Sequence, residues 1–303
     1  MTDVIIIGAG PAGLTAAIYA QRAGKSVMLL EAKIYGGQIV NTPDIENYPG
    51  IKHISGFEYA QGLYEQAMSF GAEFKMEAAL RIEDKGDYKI VKTANGDYEA
   101  KAVILATGAK NRPLGIEREA DMVGKGVSYC ATCDGMFYRG KRVAVNGGGN
   151  TAIEDAEFLS NVAEKVYVIH RRDEFRADAK DVERLKAKEN VEFVLNSTVK
   201  SLVGEDKLTA IEVENKETGD VTTIEIDGLF IAIGQMPDNK AFADVAELDP
   251  KGYIQAGESC KTETPGVFTA GDCRTKEVRQ LTTAAADGAI AALAAAQYIA
   301  TLA

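Results

Sequence analysis

The stretch Val4-Ile5-Ile6-Ile7-Gly8-Ala9-Gly10-Pro11-Ala12-Gly13 decides the fold. Its four apolar β-branched residues run unbroken, the pattern of a parallel strand buried on both faces. The glycine turn follows at once. Residues 11–23 then read as a helix, with Pro11 in the first turn and Gly24 as the stop signal. A second apolar run, residues 27–30, ends at Glu31, which stands 23 residues after Gly8. A ribose-binding carboxylate is expected about 20 residues after such glycines. Gly10 lets backbone approach a pyrophosphate, the helix N-terminus offers free N–H groups, and Glu31 can accept from ribose hydroxyls. The complete strand–turn–helix–strand–Glu unit is far more specific than its glycines alone.

Working outward, the same grammar recurs. Residues 143–145 are apolar, and Gly147-Gly148-Gly149-Asn150-Thr151-Ala152 repeats the turn with Ala152 in the third glycine's place. A helix follows, with Ala152, Ala156 and Leu159 on one face, and then a strand at 166–169. In the first half, a hairpin around Asn95-Gly96 leads to a strand at 102–106 that ends in Thr107-Gly108, with Pro113 beyond. In the second, a hairpin around Thr218-Gly219 leads to a strand at 229–233 that ends in Gly234, with Pro237 beyond. Two copies of one nucleotide-binding architecture are the simplest account.

The copies differ where the ribose is read. His170 stands 23 residues after Gly147, followed by Arg171 and Arg172, with Arg176 about one helical turn on. Guanidinium forks fit a 2′-phosphate, so this site reads as NADPH-binding. The alternative is a solvated basic face, because Asp173, Glu174, Asp178 and Lys180 surround it.

Between the two glycine turns lies Cys130-Ala131-Thr132-Cys133-Asp134-Gly135. A Cys-x-x-Cys reads as redox or metal chemistry. Structural zinc sites take four ligands, whereas Cys260, Cys273, His53 and His170 are scattered, which favours redox. Redox chemistry needs a proton donor beside the thiolate. No histidine is near in sequence, so Asp134 is the candidate, and it can equally serve the Asp-Gly turn.

With 303 residues, the chain is long enough for two domains and a large core. Its 46% hydrophobic and 26% charged residues are those of a soluble globular protein. A net charge of −11 argues against a nucleic-acid partner. No signal peptide is read at the N-terminus. The Ala-rich stretch from Thr283 is broken by Asp287, so it reads as a packed helix rather than a membrane span, and a cytoplasmic location is expected.

The chain resembles the low-molecular-weight thioredoxin reductases along essentially its whole length. The resemblance rests on the two glycine turns, Gly36-Gly37-Gln38, Glu46-Asn47-Tyr48-Pro49-Gly50, Ala106-Thr107-Gly108, the Cys130–Gly135 motif, His170-Arg171-Arg172-Asp173, Phe175-Arg176-Ala177 and Thr269-Ala270-Gly271-Asp272. Turn chemistry alone would explain the Gly36 and Glu46 stretches as surface loops.

The resemblance implies an α/β fold of two Rossmann-like, three-layer domains, the NADPH domain inserted in a discontinuous FAD domain. It divides the chain into 1–112 with 246–303 for FAD and 113–245 for NADPH and the dithiol. The FAD site would use Gly8, Gly10, Pro11, Ala12, Gly13, Gly36, Gly37, Gln38, Asn47, Ala106, Thr107, Gly108, Gly271, Asp272, Arg279, Gln280 and Leu281, with Glu31 added by its spacing from Gly8 and not by the family. The NADPH site would use Gly147, Gly148, Gly149, Asn150, Thr151, His170, Arg171, Arg172, Arg176, Ile233 and Gly234. Cys133 would face the flavin, Cys130 would attack the partner disulfide, and Asp134 would supply the proton. A thioredoxin partner, a homodimer and rotation of the domains on linkers near Pro113 and residues 238–246 are also implied. Asn146, where the family has an apolar residue, leaves the local strand end in question. Two other readings stand beside this one: a related flavin-dependent disulfide reductase serving another protein, such as a peroxiredoxin-linked system, and a non-catalytic nucleotide sensor.

Overall fold

The computed structural model describes residues 1–42 and 44–302. It divides into two compact units, one formed by Met1–Lys110 with Met236–Ala303 and the other by Asn111–Gln235.

In the first unit, Thr2–Ile7 pairs in parallel with Val27–Leu30 on one side and with Asp97–Leu105 on the other. Glu73–Lys75 extends the sheet beyond Val27–Leu30, and Val267–Thr269 pairs in parallel with the far half of Asp97–Leu105. The period-2 alternation of a strand sorts the run into two faces. Val4 and Ile6 enter a core shared with the helices Pro11–Arg22 and Leu281–Ala300, while Ile5 and Ile7 enter one with Phe242, Val245 and Ile254. The chain therefore returns to this unit at Met236, earlier than the expected residue 246, because Phe242, Val245 and Ala246 are already part of its core. Lys110 likewise replaces residue 112 as the last residue before the second unit.

The expected hairpin is present, with Lys89–Lys92 antiparallel to residues 97–100. Its second strand and the separate strand expected at 102–106 are one continuous element, Asp97–Leu105. No Gly, Pro or turn residue interrupts it; only the burial changes, from alternating to complete after Lys101. Arg81–Asp84, which the sequence pattern does not single out, adds a third antiparallel strand.

The second unit repeats the plan. Five parallel strands lie in the order Val191–Val194, Lys165–Ile169, Arg142–Asn146, Gly228–Ile231, Val127–Ser128. The strand ends on Asn146, which pairs with Ile169 like its apolar neighbours. The helix Asn150–Ser160 buries Ala152, Ala156 and Leu159 against one face. An antiparallel sheet of Ser197–Val203, Ala210–Asn215 and Val221–Glu225 contributes Val199, Leu202 and Ile211 to the core on the other face.

The repeat extends to individual bonds. Gly8 donates its N–H to Leu30 as Gly147 does to Ile169, and Ala106 donates to Ile7 as Ala232 does to Asn146.

Candidate functional sites at the strand ends

Parallel strands gather their carboxyl ends on one edge, which is where ligands bind in open α/β sheets. In the first unit, that edge carries Gly8, Glu31, Ala106 and, after a fourth strand, Gly271. The turn is tight enough to demand glycine. A Cβ on Gly8, whose φ is +105°, would stand 2.2 Å from the Ala106 carbonyl oxygen, and one on Gly13 would stand 1.9 Å from that of Gly8. Gly10 caps the helix Pro11–Arg22 with no side-chain hydrogen bond, so the first-turn N–H groups are left to a ligand.

Glu31 accepts from the amides of Ala9 at 2.9 Å and Lys33 at 3.0 Å, which fixes the turn and keeps a second lone pair on each oxygen. Gly36 donates to the Ala9 carbonyl at 2.7 Å, and Gln38 bonds the Ala109 carbonyl. The Gly36 stretch is thus packed on the glycine turn and is not a free surface loop. Asn47 donates to Gln280 at 3.4 Å, so its loop reaches the start of the helix Leu281–Ala300.

Asp272 follows Gly271 on the same edge. Its Oδ1 is buried and has no partner, and burial raises its carboxyl above the ordinary range, opposed by Lys276 and Arg279. Arg279 donates to the Asp272 carbonyl at 3.3 Å and lies over the Tyr253 ring. Thr107 bonds Asn239, which is buried and also donates to the carbonyls of Gly252 and Cys273. A glycine cradle with an uncapped helix end, together with a buried polar atom awaiting a donor, fits a dinucleotide with a polar ring.

In the second unit, the same edge carries Gly147–Gly149, His170, Ile233 with Gly234, and the dithiol. Gly149 caps the helix Asn150–Ser160, again without a side-chain hydrogen bond, and a Cβ there would meet nothing within 4 Å. Thr151, in the first turn, is exposed. His170 holds the position of Glu31 in the first unit but is buried, where Glu31 is half-buried. Its ring is 7% exposed, lies under Gly148, stacks on Phe175 with centroids 5.0 Å apart, and its Nε2 meets the Glu174 carbonyl at 3.0 Å. Burial lowers its pKa, as do Arg171, Arg172 and Arg176, so the ring is neutral packing beneath the turn.

Those three arginines are exposed, and among the described residues none forms an ion pair with the acids around it. Arg176 donates its amide to the Gly148 carbonyl at 2.8 Å and Asp178 donates its amide to the Asn150 side chain at 3.2 Å. The basic segment is therefore held against the glycine turn.

The edge strand Val127–Ser128 delivers the dithiol. Cys130 and Cys133 form a disulfide across the short helix Ala131–Asp134, with Cα atoms 5.3 Å apart. Asp134 donates its amide to the Cys130 carbonyl, and its Oδ2 accepts from Ser128 Oγ at 2.6 Å. Burial raises its carboxyl above the ordinary range, with the Ser128 bond opposing. The acid therefore keeps its proton to higher pH than an exposed aspartate. Cys260 and Cys273 are free and buried.

Sequence reading misses Ser128, Asn239 and Asp287. The signals were present in Ser128 two residues before Cys130, and in Asp287 as the one charge in an Ala-rich run. Among the described residues, no helix is long and apolar enough to cross a membrane.

The chain matches, over residues 2–288, the family described as pyridine nucleotide-disulphide oxidoreductase. The thioredoxin reductase of Bacillus subtilis (strain 168) is 42% identical over 298 residues, 98% of this chain and 94% of that one. The crystal structure of thioredoxin reductase from Streptococcus pyogenes is similar at a TM-score of 0.95, with 45% identity and 99% of each chain covered. Thioredoxin reductase from Giardia duodenalis is similar at 0.93, with 35% identity and 99% of each chain covered.

Proposed function

We infer the activity from one premise: this chain belongs to the pyridine nucleotide-disulphide oxidoreductases, among the low-molecular-weight thioredoxin reductases. It is a thioredoxin-disulfide reductase, and the thiol chemistry of its second unit carries the reading. The cofactors are NADPH, which supplies the hydride, and FAD, which relays two electrons to the dithiol.

The chain's own residues do the rest. The first unit holds FAD, with the glycine turn and the start of Pro11–Arg22 on the pyrophosphate, Glu31 on ribose, and Asp272, Arg279, Gln280, Leu281 and Asn47 on the flavin side. The second unit holds NADPH, with Gly147–Thr151, Ile233 and Gly234 on the dinucleotide and Arg171, Arg172 and Arg176 on the 2′-phosphate. His170 supports the turn from beneath.

In the reduced dithiol, the Cys130 thiolate attacks one sulfur of the partner disulfide. A mixed disulfide forms, and the partner's S–S bond breaks to release its first thiolate. The Cys133 thiolate then attacks the Cys130 sulfur. The Cys130–Cys133 bond re-forms, the partner leaves as a dithiol, and two electrons have moved to it. Asp134 gives its proton to a departing thiolate. The protein acts in the cytoplasm as a homodimer.

The observation that carries the proposal is the pairing, on one sheet edge, of a nucleotide-type glycine turn with a disulfide beside a buried carboxyl. The test is anaerobic titration of the FAD-loaded protein. NADPH should bleach the yellow protein, oxidised thioredoxin should restore the colour, and NADH should act far more weakly. Bleaching without reoxidation by any thioredoxin would sink the partner, and a protein that took up no FAD would sink the enzyme.

A further inference from the structure

We infer that Asp287 is a positioning residue for the FAD site, fixing the turn that bears Asp272 and balancing the charge around it. The inference rests on the reading that the first unit binds FAD.

Asp287 is the only acidic or basic residue of the helix Leu281–Ala300, and it is 3% exposed. A lone carboxylate in an alanine helix is costly to bury unless donors converge on it. Four do. Gly271 gives its amide at 2.9 Å, Arg274 gives Nε and Nη2 at 2.8 Å each, and Lys276 gives Nζ at 2.9 Å. Burial alone would raise this carboxyl, but the bonds from Arg274 and Lys276 hold it below the ordinary range, so it is ionised. The chain from Gly271 to Lys276 is thus wrapped around one carboxylate, and Asp272, whose Oδ1 is buried with no partner, lies within that segment.

Two neighbouring contacts connect this wrap to the rest of the site. A Cβ on Gly288 would stand 2.2 Å from the Ala12 carbonyl oxygen, and one on Gly271 would stand 2.8 Å from the Ala12 Cβ. The residue beside Asp287 therefore touches the helix of the glycine turn, while its carboxylate grips the Gly271 turn. Arg279 closes the other end by donating to the Asp272 and Arg274 carbonyls.

The charges have a direction. Two cations surround one buried anion, and among the described residues Arg274 has one further ion-pair partner, the exposed Glu258 at 3.8 Å. Neutralising Asp287 leaves Arg274 and Lys276 unbalanced, and a more positive surround makes a flavin easier to reduce. Neutralising Lys276 does the reverse. A buried ion network that served stability alone would move melting temperature without moving flavin potential in opposite senses.

The experiment measures flavin midpoint potential, FAD release and melting temperature in the FAD-loaded wild type, Asp287→Asn, Asp287→Glu and Lys276→Gln. Asp287→Asn should shift the potential positive and release FAD on the order of tenfold faster, the scale of a lost charge-assisted hydrogen bond. Lys276→Gln should shift it negative. Asp287→Glu, which keeps the charge but displaces it, should keep the wild-type potential and still release FAD faster. If Asp287→Asn fails to fold, the other two variants decide. Wild-type potential and FAD retention in all variants, whatever the melting temperature, would overturn the inference alone. A wild type that bound no FAD would overturn the functional reading and this inference together.

Discussion

Ser128 Oγ donates to Asp134 Oδ2 at 2.6 Å and accepts the amide of Cys130 at 3.1 Å. One buried hydroxyl, two residues ahead of the dithiol, therefore holds both the backbone of the first cysteine and the carboxyl proposed to serve it. The two effects on that carboxyl oppose each other. Burial favours the protonated acid, and the donated hydrogen bond favours the carboxylate. Burial wins, because Asp134 is raised above its ordinary range and its Oδ1 has no partner. Tyr138 faces the same carboxyl, and burial together with Asp134 and Asp227 raises its phenol to about 12, so it remains neutral.

Ser128→Ala removes the bond that favours the carboxylate, so the Asp134 pKa should rise further. A general acid works below its pKa. The alkaline limb of the dithiol-to-thioredoxin step should therefore move to higher pH in Ser128→Ala, remain in place in Ser128→Thr, and vanish in Asp134→Asn. Stopped-flow reoxidation across pH checks this. A limb at the wild-type position in Ser128→Ala would remove Ser128 from the proton's path.

Cys130→Ser should abolish thioredoxin reduction while leaving NADPH reduction of the flavin intact. The disulfide links Cys130 and Cys133 alone, and the other two cysteines are buried, so no third thiol can substitute. Steady-state turnover and anaerobic bleaching, measured side by side, separate the two half-reactions. Persistent turnover would assign the chemistry elsewhere.

Replacing Arg171 and Arg172 with Gln should raise the NADPH KM by roughly tenfold or more, at about 1.5–3 kcal/mol for each hydrogen bond to a charged group. NADH, which lacks the 2′-phosphate, should lose little. Both side chains are exposed and outside the ion pairs of the described residues, so stability should be nearly unchanged. Equal losses for both nucleotides would return the segment to a solvated basic face.

Both dinucleotide folds were legible because their signals are local: an apolar strand, a glycine turn and a helix are contiguous in sequence. Where the strand Asp97–Leu105 merged two expected elements, the cue was an absent breaker, which periodicity alone does not report. The offset from Gly147 puts His170 at the end of the strand Lys165–Ile169, but its ring packs under Gly148, since spacing fixes a position and not a rotamer. Ser128 and Asp287 act through partners that lie, respectively, six residues away and on another element, and only folding brings Asp287 to Gly271. The early return to the first unit at Met236 was hidden for the same reason, because Phe242 and Val245 find their core partners at long range.

Gly148 and Gly149 are adjacent glycines whose substitution should weaken NADPH alike but differ in its effect on stability. A Cβ on Gly148 would stand 2.1 Å from the His170 ring. That ring cannot simply swing aside, because Phe175 stacks on it, Phe193 supports Phe175 at 5.6 Å, and the Glu174 carbonyl meets its Nε2. Gly148→Ala should therefore destabilise the protein by about 1–3 kcal/mol, the range for overpacking. It should also weaken NADPH, because Arg171 and Arg172 follow the displaced residue. A Cβ on Gly149 would meet nothing within 4 Å, and its backbone is extended, so Gly149→Ala should melt like the wild type. It should still weaken NADPH, because the methyl group enters the space left for the pyrophosphate. His170→Ala should restore part of the stability lost in Gly148→Ala, a coupling that a double-mutant cycle of melting temperatures reports. Additive losses would show that the ring and the glycine are not in contact.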